Sequence, residues 1–504
     1  LEVDEMEVWN YLDTLIPQLL LILFALLMPA YDYMFKDKRI LSVMALVPLV
    51  AIAGAFVAWL FLGWWIPPAS TIDLLSVDPF SGLFVLVFVS VGIVVVLGSP
   101  EFIRSERNHG EYYALILLAI TGMTIVAEAS DLIALFVGLE IAGISSFALS
   151  GFRKSEKRSA EAATKYFIVG AFSSALTLFA ISLLYGVAGT TSIAGIANAL
   201  TSPTSPQWVL DSADPVILLA VVLLFAGFGF KIAIVPFHMW APDVYEGAPT
   251  PVSGMLAAAS KKMGFAAVFK VFLIGLIVSK TEWQEAAAVL AILTMTVGNL
   301  IAVSQNNMKR MLAYSSIAQA GYILIVLPVG TQYAVAGGLF HIITHAFMKS
   351  GAFLVVAAMG AAAIGEKLDD FKGLGRRAPW LAFAMTLFLL SLAGIPPLAG
   401  FASKFVLFSS AVYASVSPGP QWLIWLAIAG VLNSALSLYY YARVIKKMYM
   451  EQGPAEKIVV PPMLKIAVAI AAIMVVVLGV YPDSVVSACR HAAELLFPGL
   501  LPGI

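Results

Sequence analysis

The chain is a succession of apolar runs long enough to cross a bilayer. A membrane-spanning helix needs roughly 20 such residues. On that measure about fourteen runs qualify, near positions 13–33, 40–62, 78–99, 111–128, 130–152, 160–188, 213–235, 252–279, 284–305, 310–328, 332–362, 379–415, 420–446 and 463–482. Hydrophobic residues fill 61% of the 504 positions and charged residues 12%, against about 25% charge in a soluble domain. The expected fold class is all-α, a polytopic membrane protein. Connections are short, so no soluble domain is expected. The longest outer one runs from about Gly189 to Asp214 and contains Pro203 and Pro206.

Charge orients these spans. The N-terminal stretch carries Glu2, Asp4, Glu5 and Glu7. It lacks the basic start of a signal peptide, and the first run is read as a retained span. With that end outside and the spans alternating, twenty of the 29 Lys and Arg fall on inner connections, among them Lys36, Lys38, Arg39, Arg153, Lys154, Arg158, Lys309, Arg310, Arg443 and Lys447. Lys280 and Arg490 fall outside. This positive-inside asymmetry would scramble if one mid-chain span were miscounted. Both termini are expected on the outer face.

The single cysteine, Cys489, excludes cysteine-ligated iron–sulfur clusters, all-cysteine zinc sites and an intrachain disulfide. Gly227-Phe228-Gly229-Phe230 lacks the third glycine and the strand context of a dinucleotide fingerprint, and no Walker-type loop is present. Iron–sulfur redox chemistry and nucleotide binding are therefore expected on other chains.

Seven lysines interrupt the apolar runs: Lys165, Lys231, Lys261, Lys262, Lys270, Lys349 and Lys404. A charge at mid-membrane costs about 2.5–3.5 kcal/mol on insertion scales, so such residues usually face a partner or a water-filled path. Lysine also loses its proton readily when buried. Lys165 sits about a turn and a half from the basic end of its span, where snorkelling is the simple alternative. Lys270 has the same alternative. Lys261 and Lys262 are adjacent and point about 100° apart, so at most one lies comfortably on a given path. Glu140 stands mid-span and is ionised only if a lysine pairs with it. His341, His345 and Lys349, at i, i+4 and i+8, share a stripe about 12 Å long. That stripe could relay protons, hold a metal or haem, or be satisfied by interhelical hydrogen bonds. Glu128 and Asp131 bracket a tight outer turn, where solvent would explain them. His238 and Asp243 read as loop chemistry at the inner mouth.

Two spans should be broken. Residues 228–253 place Lys231 five positions before Pro236, and Pro242, Pro249 and Pro251 follow. Residues 390–405 place Gly394, Pro396, Pro397 and Gly400 before Lys404. Proline removes a backbone donor and clashes with the preceding turn, and the freed carbonyls must face protein or water. Paired interrupted spans point to inverted repeats. These are the seventh and twelfth spans, five apart, and an odd offset reverses orientation. The expected units are spans 4–8 and 9–13, with Lys231 and Lys404 at equivalent hinges.

The runs SDLIALFVGLEIAGISSFALSGF, FGFKIAIVPFHMWAPDVYEGAPTPVSGMLAAASKKMGF, NMKRMLAYSSIAQAGY and AGIPPLAGFASKF resemble the antiporter-like subunits of respiratory complex I and their relatives. The resemblance covers about spans 4 to 13 and is greatest to the N-type. It implies a Glu140–Lys231 pair, a role for Lys165 as the sixth-helix lysine found in some members, Lys261 as the central lysine of the eighth helix, and His345 at a position where many members carry histidine. Lys404 matches the twelfth-helix lysine; M-type subunits would have glutamate there. The HIITHAFMKSGAF run is M-, L- or Mrp-like in its histidines.

The resemblance further implies a proton-translocating subunit of a complex I-like oxidoreductase in a prokaryotic cell membrane, using NADH or a deazaflavin as donor. It would carry no cofactor itself, beside partner subunits bearing iron–sulfur clusters, flavin and a quinone-type site. Paralogous antiporter-like subunits and the lipid bilayer would be its neighbours. The competing expectation is a subunit of a multisubunit Mrp-type sodium/proton antiporter without redox partners; an intramembrane metal or haem enzyme on His341 and His345 is a third. The domain division expected is 1–108 for an N-terminal three-helix segment, 109–280 and 281–450 for the two five-helix repeats, and 451–504 for a C-terminal helix and tail.

Overall fold

The computed structural model describes residues 5–64, 71–72, 74–201, 215–416 and 419–500, with side chains from Thr14 onward except at 71 and 72. Glu2, Asp4, Pro203 and Pro206, and the side chains of Glu5 and Glu7, lie outside what is described.

Among the described residues thirteen helices are long and apolar enough to cross a membrane. In chain order, spans 1 to 7 are Glu5–Met34, Arg39–Leu62, Pro79–Gly98, His109–Glu128, Leu132–Ser150, Lys157–Ala188 and Pro215–Ile232. Span 8 adds a fourteenth crossing. It runs through the α segments Thr250–Met255 and Lys261–Lys270 and the π turns Leu256–Ser260 and Val271–Gly275. Spans 9 to 11 are Ile277–Ser304, Met308–Val329 and Gln332–Ala361. Span 12 is split into Pro379–Ala393 and Ala399–Val416, and spans 13 and 14 are Gln421–Met450 and Pro462–Val480. The molecule is a multi-pass membrane protein of all-α class. The connections rich in Lys and Arg lie together at one end, the basic face; the other end is the distal face.

Both expected breaks are present. Span 7 stops at Ile232, Ala233 takes a left-handed φ of 55°, and the chain re-enters a helix at Trp240–Gly247. Span 12 stops at Ala393, Gly394 has φ 92°, and helix resumes at Ala399. Each break carries a cis X–Pro bond, Val235–Pro236 and Pro396–Pro397. The Phe230 carbonyl at the first break accepts from Ala233 N and from the Trp240 indole N–H, each at 3.0 Å.

Other features recur five spans apart. Asp131 caps span 5 through Ile133 N and bridges backbone-to-backbone with Ser192. Asn307 caps span 10 through Lys309 N and Arg310 N and bridges with Lys367. The first bridge lies at the distal face and the second at the basic face. Glycines bring the paired helices together, as lipid supplies no hydrophobic drive between them. A Cβ on Gly122 of span 4 would lie 2.4 Å from Ala142 N and 2.6 Å from Gly138 O of span 5. A Cβ on Gly298 of span 9 would lie 2.6 Å from Ala318 N, and one on Gly321 of span 10 would lie 2.5 Å from Met295 N. Spans 10 and 11 are buried along their length.

The distal turn between spans 4 and 5 corrects an expectation. Glu128 is 0% exposed and Asp131 5%; solvent accounts for neither. The strands Thr71–Ile72 and Leu75–Ser76 form a hairpin that bridges to Ala129, and the Thr190–Ser192 strip closes the other side. Asp131 is held by Ile133 N and by the Thr191 hydroxyl at 2.5 Å.

Gly122→Val should force spans 4 and 5 apart. Overpacking of this kind costs about 1–3 kcal/mol. A lowered melting temperature of the detergent-solubilised protein, and less of it in the membrane, is the expected result, whereas Gly54→Val, where a Cβ meets nothing within 4 Å, should change neither.

Candidate functional site

The first break delivers Lys231 to Glu140. Lys231 ends span 7 in its last turn, so its side chain points across the gap rather than along a continuous helix. Its Nζ stands 3.8 Å from Glu140 Oε1, with the lysine side chain 7% exposed and the glutamate 27%. Ser174 of span 6 donates its hydroxyl to the same Glu140 oxygen at 2.5 Å. Gly143, one turn beyond Glu140, makes the space: a Cβ there would lie 3.2 Å from Lys231 Nζ. The Phe147 and Phe230 rings flank the ammonium at 5.9 and 5.8 Å.

Lys165 is placed differently from the expectation of a deep lysine. Its side chain is 43% exposed, and its Nζ meets Asp243 Oδ2 and Glu161 Oε1, each at 2.7 Å. Asp243 and Glu246 also hold Arg310, at 2.7 and 2.9 Å. This network roofs the basic end of the first break. Next to it Lys309 donates to Ala248 O at 2.8 Å and pairs with Glu366 at 3.2 Å. A polar cavity of about 210 Å³ opens there, lined by Arg153, Glu156, Arg158, Glu246, Lys309 and Glu366.

Beyond Lys231 lies a buried group of bases. Lys261, Lys262, His341, His345 and Lys349 are each 1% exposed or less, and Lys404 is 4% exposed. Among the described residues Lys261 Nζ, Lys262 Nζ and both His345 ring nitrogens have no hydrogen-bond partner. Lys261 lies over the Tyr245 ring at 5.7 Å. His345 feels Lys262, Lys349, His341 and Lys261 electrostatically, and its ring centroid is 6.0 Å from that of His341. His341 bonds to Ser403 Oγ and Gln319 Oε1, both at 2.9 Å. Lys349 donates to Leu312 O at 2.9 Å and Ser315 Oγ at 2.6 Å, and Ser315 bonds onward to the Tyr441 hydroxyl. The expected stripe thus diverges: His341 turns to spans 10 and 12, Lys349 to span 10, and His345 to span 8. Among the described residues no carboxylate comes within ion-pair distance of Lys261, Lys262, Lys349 or Lys404, and no cluster suited to a metal ion is found. Charged together in a low dielectric these bases repel one another, so a proton on one disfavours a proton on the next.

Lys404 reaches back over its own break. Its Nζ donates to Leu392 O and Ser434 Oγ, each at 2.8 Å, and lies 4.9 Å from the Tyr322 ring. Lys231 stands five residues before Pro236 and Leu392 five before Pro397. Lys231 and Lys404 are therefore not sequence-equivalent, as one precedes its break and the other follows. The Lys404 ammonium nevertheless ends beside the position that matches Lys231. Gln319, which donates to the same Leu392 carbonyl at 3.2 Å, stands twelve residues after the Asn307 cap; Gly143 stands twelve after Asp131.

Sequence reasoning missed Gln319, Ser403, Tyr322 and Asn299. Asn299 donates to the Tyr322 hydroxyl at 3.2 Å and accepts from Tyr440 at 2.8 Å. The signal was available: these are uncharged polar residues inside apolar runs, visible in motifs such as SSIAQAGY.

Residues 129–437 match the family model described as NADH:quinone oxidoreductase/Mrp antiporter, TM. The F(420)H(2) dehydrogenase subunit N of Methanosarcina mazei is 47% identical over 437 residues, covering 84% of this chain and 86% of that protein. The NADH-quinone oxidoreductase subunit N of Trichlorobacter lovleyi is 41% identical over 469 residues, 92% of each chain. A chain of respiratory complex I from Thermus thermophilus with bound aureothin matches with a TM-score of 0.77 at 29% identity, covering 94% of this chain and 99% of that one. The chain belongs to this family, and within it to the N-type antiporter-like subunits.

Burial tends to raise the Asp243 carboxyl, but the hydrogen bonds from Lys165 and Arg310 outweigh it and hold the group below its ordinary 3.8. A carboxyl lowered by folding stabilises above its unfolded value, and that stabilisation disappears as pH falls through the folded value. Asp243→Asn should therefore lower the melting temperature near pH 7, with the gap to the wild type closing under acid conditions below the ordinary carboxylate range. The pairs are partly solvated, so the effect is about 1 kcal/mol or less. Melting curves across pH check it.

Proposed function

We propose that this N-type subunit translocates protons for a complex I-like respiratory oxidoreductase, using Glu140, Lys231, Lys261, His345 and Lys404. The observation that carries the reading is the group of buried bases on the helices between two helix breaks, with a carboxylate beside Lys231 and none within ion-pair distance of Lys261, Lys262, Lys349 or Lys404 among the described residues. Protons arrive from the basic face, the inner side, past the ion pairs of Lys165, Asp243 and Arg310. Lys165 thus serves the mouth of the path. Ionised Glu140 stabilises the Lys231 ammonium 3.8 Å away. When a charge change in a neighbouring subunit weakens that pair, the ammonium is left buried without a counter-ion, the least favourable form of lysine. Its proton moves to Lys261 or Lys262, whose amines have no other partner, then past His345 to His341. Gln319 and Ser403 hold the His341 ring in place, and Lys404 receives the charge at the second break. One pKa unit is about 1.4 kcal/mol, and moving a charge across 100 mV takes about 2.3 kcal/mol. A single ion pair can gate the step.

The two breaks, the two capped turns and the two glycine crossings, each five spans apart, support reading spans 4–8 and 9–13 as inverted units. The driving energy comes from redox groups on partner subunits, and the termini lie on the outer face of a prokaryotic cell membrane. An exchanger without redox partners has less support, as the relatives named above are subunits of an F(420)H(2) dehydrogenase and an NADH-quinone oxidoreductase.

Lys231→Ala should abolish proton uptake by inverted vesicles during electron transfer while the complex still assembles. Vesicles are prepared from cells carrying the variant and followed with a pH-sensitive dye. Normal uptake would sink the proposal. Purification through a tag on this chain should bring down iron; an iron-free preparation would favour the exchanger.

A further inference from the structure

We infer that the first unit has its own proton outlet at the distal face, built from Lys270, Glu128 and Asp78. The inference rests on the proposed translocation and adds a branch to it. The path above leaves Lys404 in a poor place for release. Its cavity, of about 600 Å³ between spans 12 and 13, is lined by Phe401, Phe405, Phe408, Ile424, Ile428 and Leu432 among others. Those are lipid-like walls. Span 8 offers a different course. It carries Lys261 and Lys262 at its middle and Lys270 eight residues beyond Lys262, about 12 Å nearer the distal face.

Lys270 is 2% exposed and does not snorkel. Its Nζ donates to the carbonyl of Ala129, at the turn after span 4, at 2.9 Å. Glu128, the residue before, is fully buried. Gln18 of span 1 donates to Glu128 Oε2 at 2.6 Å, while Glu128 Oε1 has no donor among the described residues. Asp78 caps span 3 through Ser81 with one oxygen and leaves Oδ2 without a donor. Glu128 and Asp78 both act electrostatically on Lys270. Phe80 completes the surround, its ring centroid 5.8 Å from the ammonium. Asp131, on the same turn, is committed to Ile133 N and Thr191.

This is a buried ammonium, two carboxylates and unpartnered oxygens in one place. Buried oxygens are rarely left without donors, and polar sites of this kind hold water. Among the described residues no direct ion pair joins Lys270 to Glu128, so the outlet requires a water between them. The transfer is balanced without any co-reactant. The Lys270 ammonium loses an N–H proton through that water to the Glu128 carboxylate, leaving a neutral amine and a carboxylic acid. Glu128 is itself fully buried, so the acid passes the proton outward only when the hairpin over the turn admits water. Lys270 is then reprotonated from the side of Lys262 and Lys261, about 12 Å back along the same helix, a distance that needs intervening water. Gln18 keeps the carboxyl oriented in either state.

The test measures protons moved per electron pair in inverted vesicles containing the whole complex, for Glu128→Gln, Glu128→Asp and the Lys231→Ala control. Glutamine keeps the size of the side chain and a hydrogen-bonding oxygen but cannot carry a proton. Glu128→Gln is expected to lose proton yield, and Glu128→Asp to recover most of it. Lys270→Met should lose it too. If Glu128→Gln pumps as the wild type does while Lys231→Ala fails, the outlet is overturned and the wider reading stands. If both pump normally, the translocation reading itself falls. A loss in Glu128→Gln that Glu128→Asp does not restore, accompanied by lower amounts of assembled complex on native gels, would assign Glu128 a purely structural role and also overturn the outlet.

Discussion

A buried ammonium donating to a backbone carbonyl is the interaction on which this structure turns. Lys404 donates to Leu392 O, Lys349 to Leu312 O, Lys309 to Ala248 O and Lys270 to Ala129 O. Each acceptor lies at a helix end, at a break or on a helix facing the lysine. In lipid a freed carbonyl must be satisfied from within the protein, and lysine brings three donors on a flexible stem. The broken helices and the buried lysines therefore solve each other's problem. A lysine held only by carbonyls is also easier to deprotonate than one held by a carboxylate, because no opposite charge is left stranded. Two of the buried lysines do have a carboxylate, Lys309 with Glu366 at 3.2 Å and Lys231 with Glu140 at 3.8 Å; of these only Lys231 stands at a helix break, which suits it, in the proposed translocation, to be the controlled member of the series.

Much of this was legible in the chain. Run length gave the fourteen crossings, and the prolines marked both breaks to within a few residues. Glu140 and Lys231 were paired by the resemblance, and the structure brings them together. Lys165 was not legible. Its position within an apolar run suggested depth, but the sequence could not reveal that the Trp240–Gly247 helix folds Asp243 against it. Glu128 failed in the opposite sense. A carboxylate at a tight turn reads as solvated until a hairpin from residues 71–76 and a strip from 190–192 are laid over it, and neither pattern is strong enough to predict that cover. Gln319 and Asn299 were overlooked because uncharged polar residues raise no flag in a hydropathy reading.

The five-span correspondence also shows where the two halves part company. Counted from their caps, Glu140 and Ser316 both stand nine residues on. The first half has a carboxylate there; the second has a hydroxyl. Likewise Lys231 corresponds to Leu392, and the missing amine is supplied from the far side of the break by Lys404. The second half keeps the hinge geometry but dispenses with the counter-ion. In the proposed translocation, the first half would hold a charge until released and the second would accept a charge and pass it on.

The complete burial of spans 10 and 11 has a consequence for biogenesis. Span 11 carries His341, Thr344, His345 and Lys349, all fully buried in the folded chain, yet helices leave the insertion machinery one after another, and each must be tolerable in the bilayer before it packs. When span 11 emerges, spans 12 and 14, which pack against it, have not been made. Its polar stripe must be sheltered by spans already in place, chiefly span 8 with its lysines and span 10 with Gln319 and Ser315. The order of the helices along the gene is therefore itself a constraint: this polar helix is made after spans 8 and 10, which shelter its stripe.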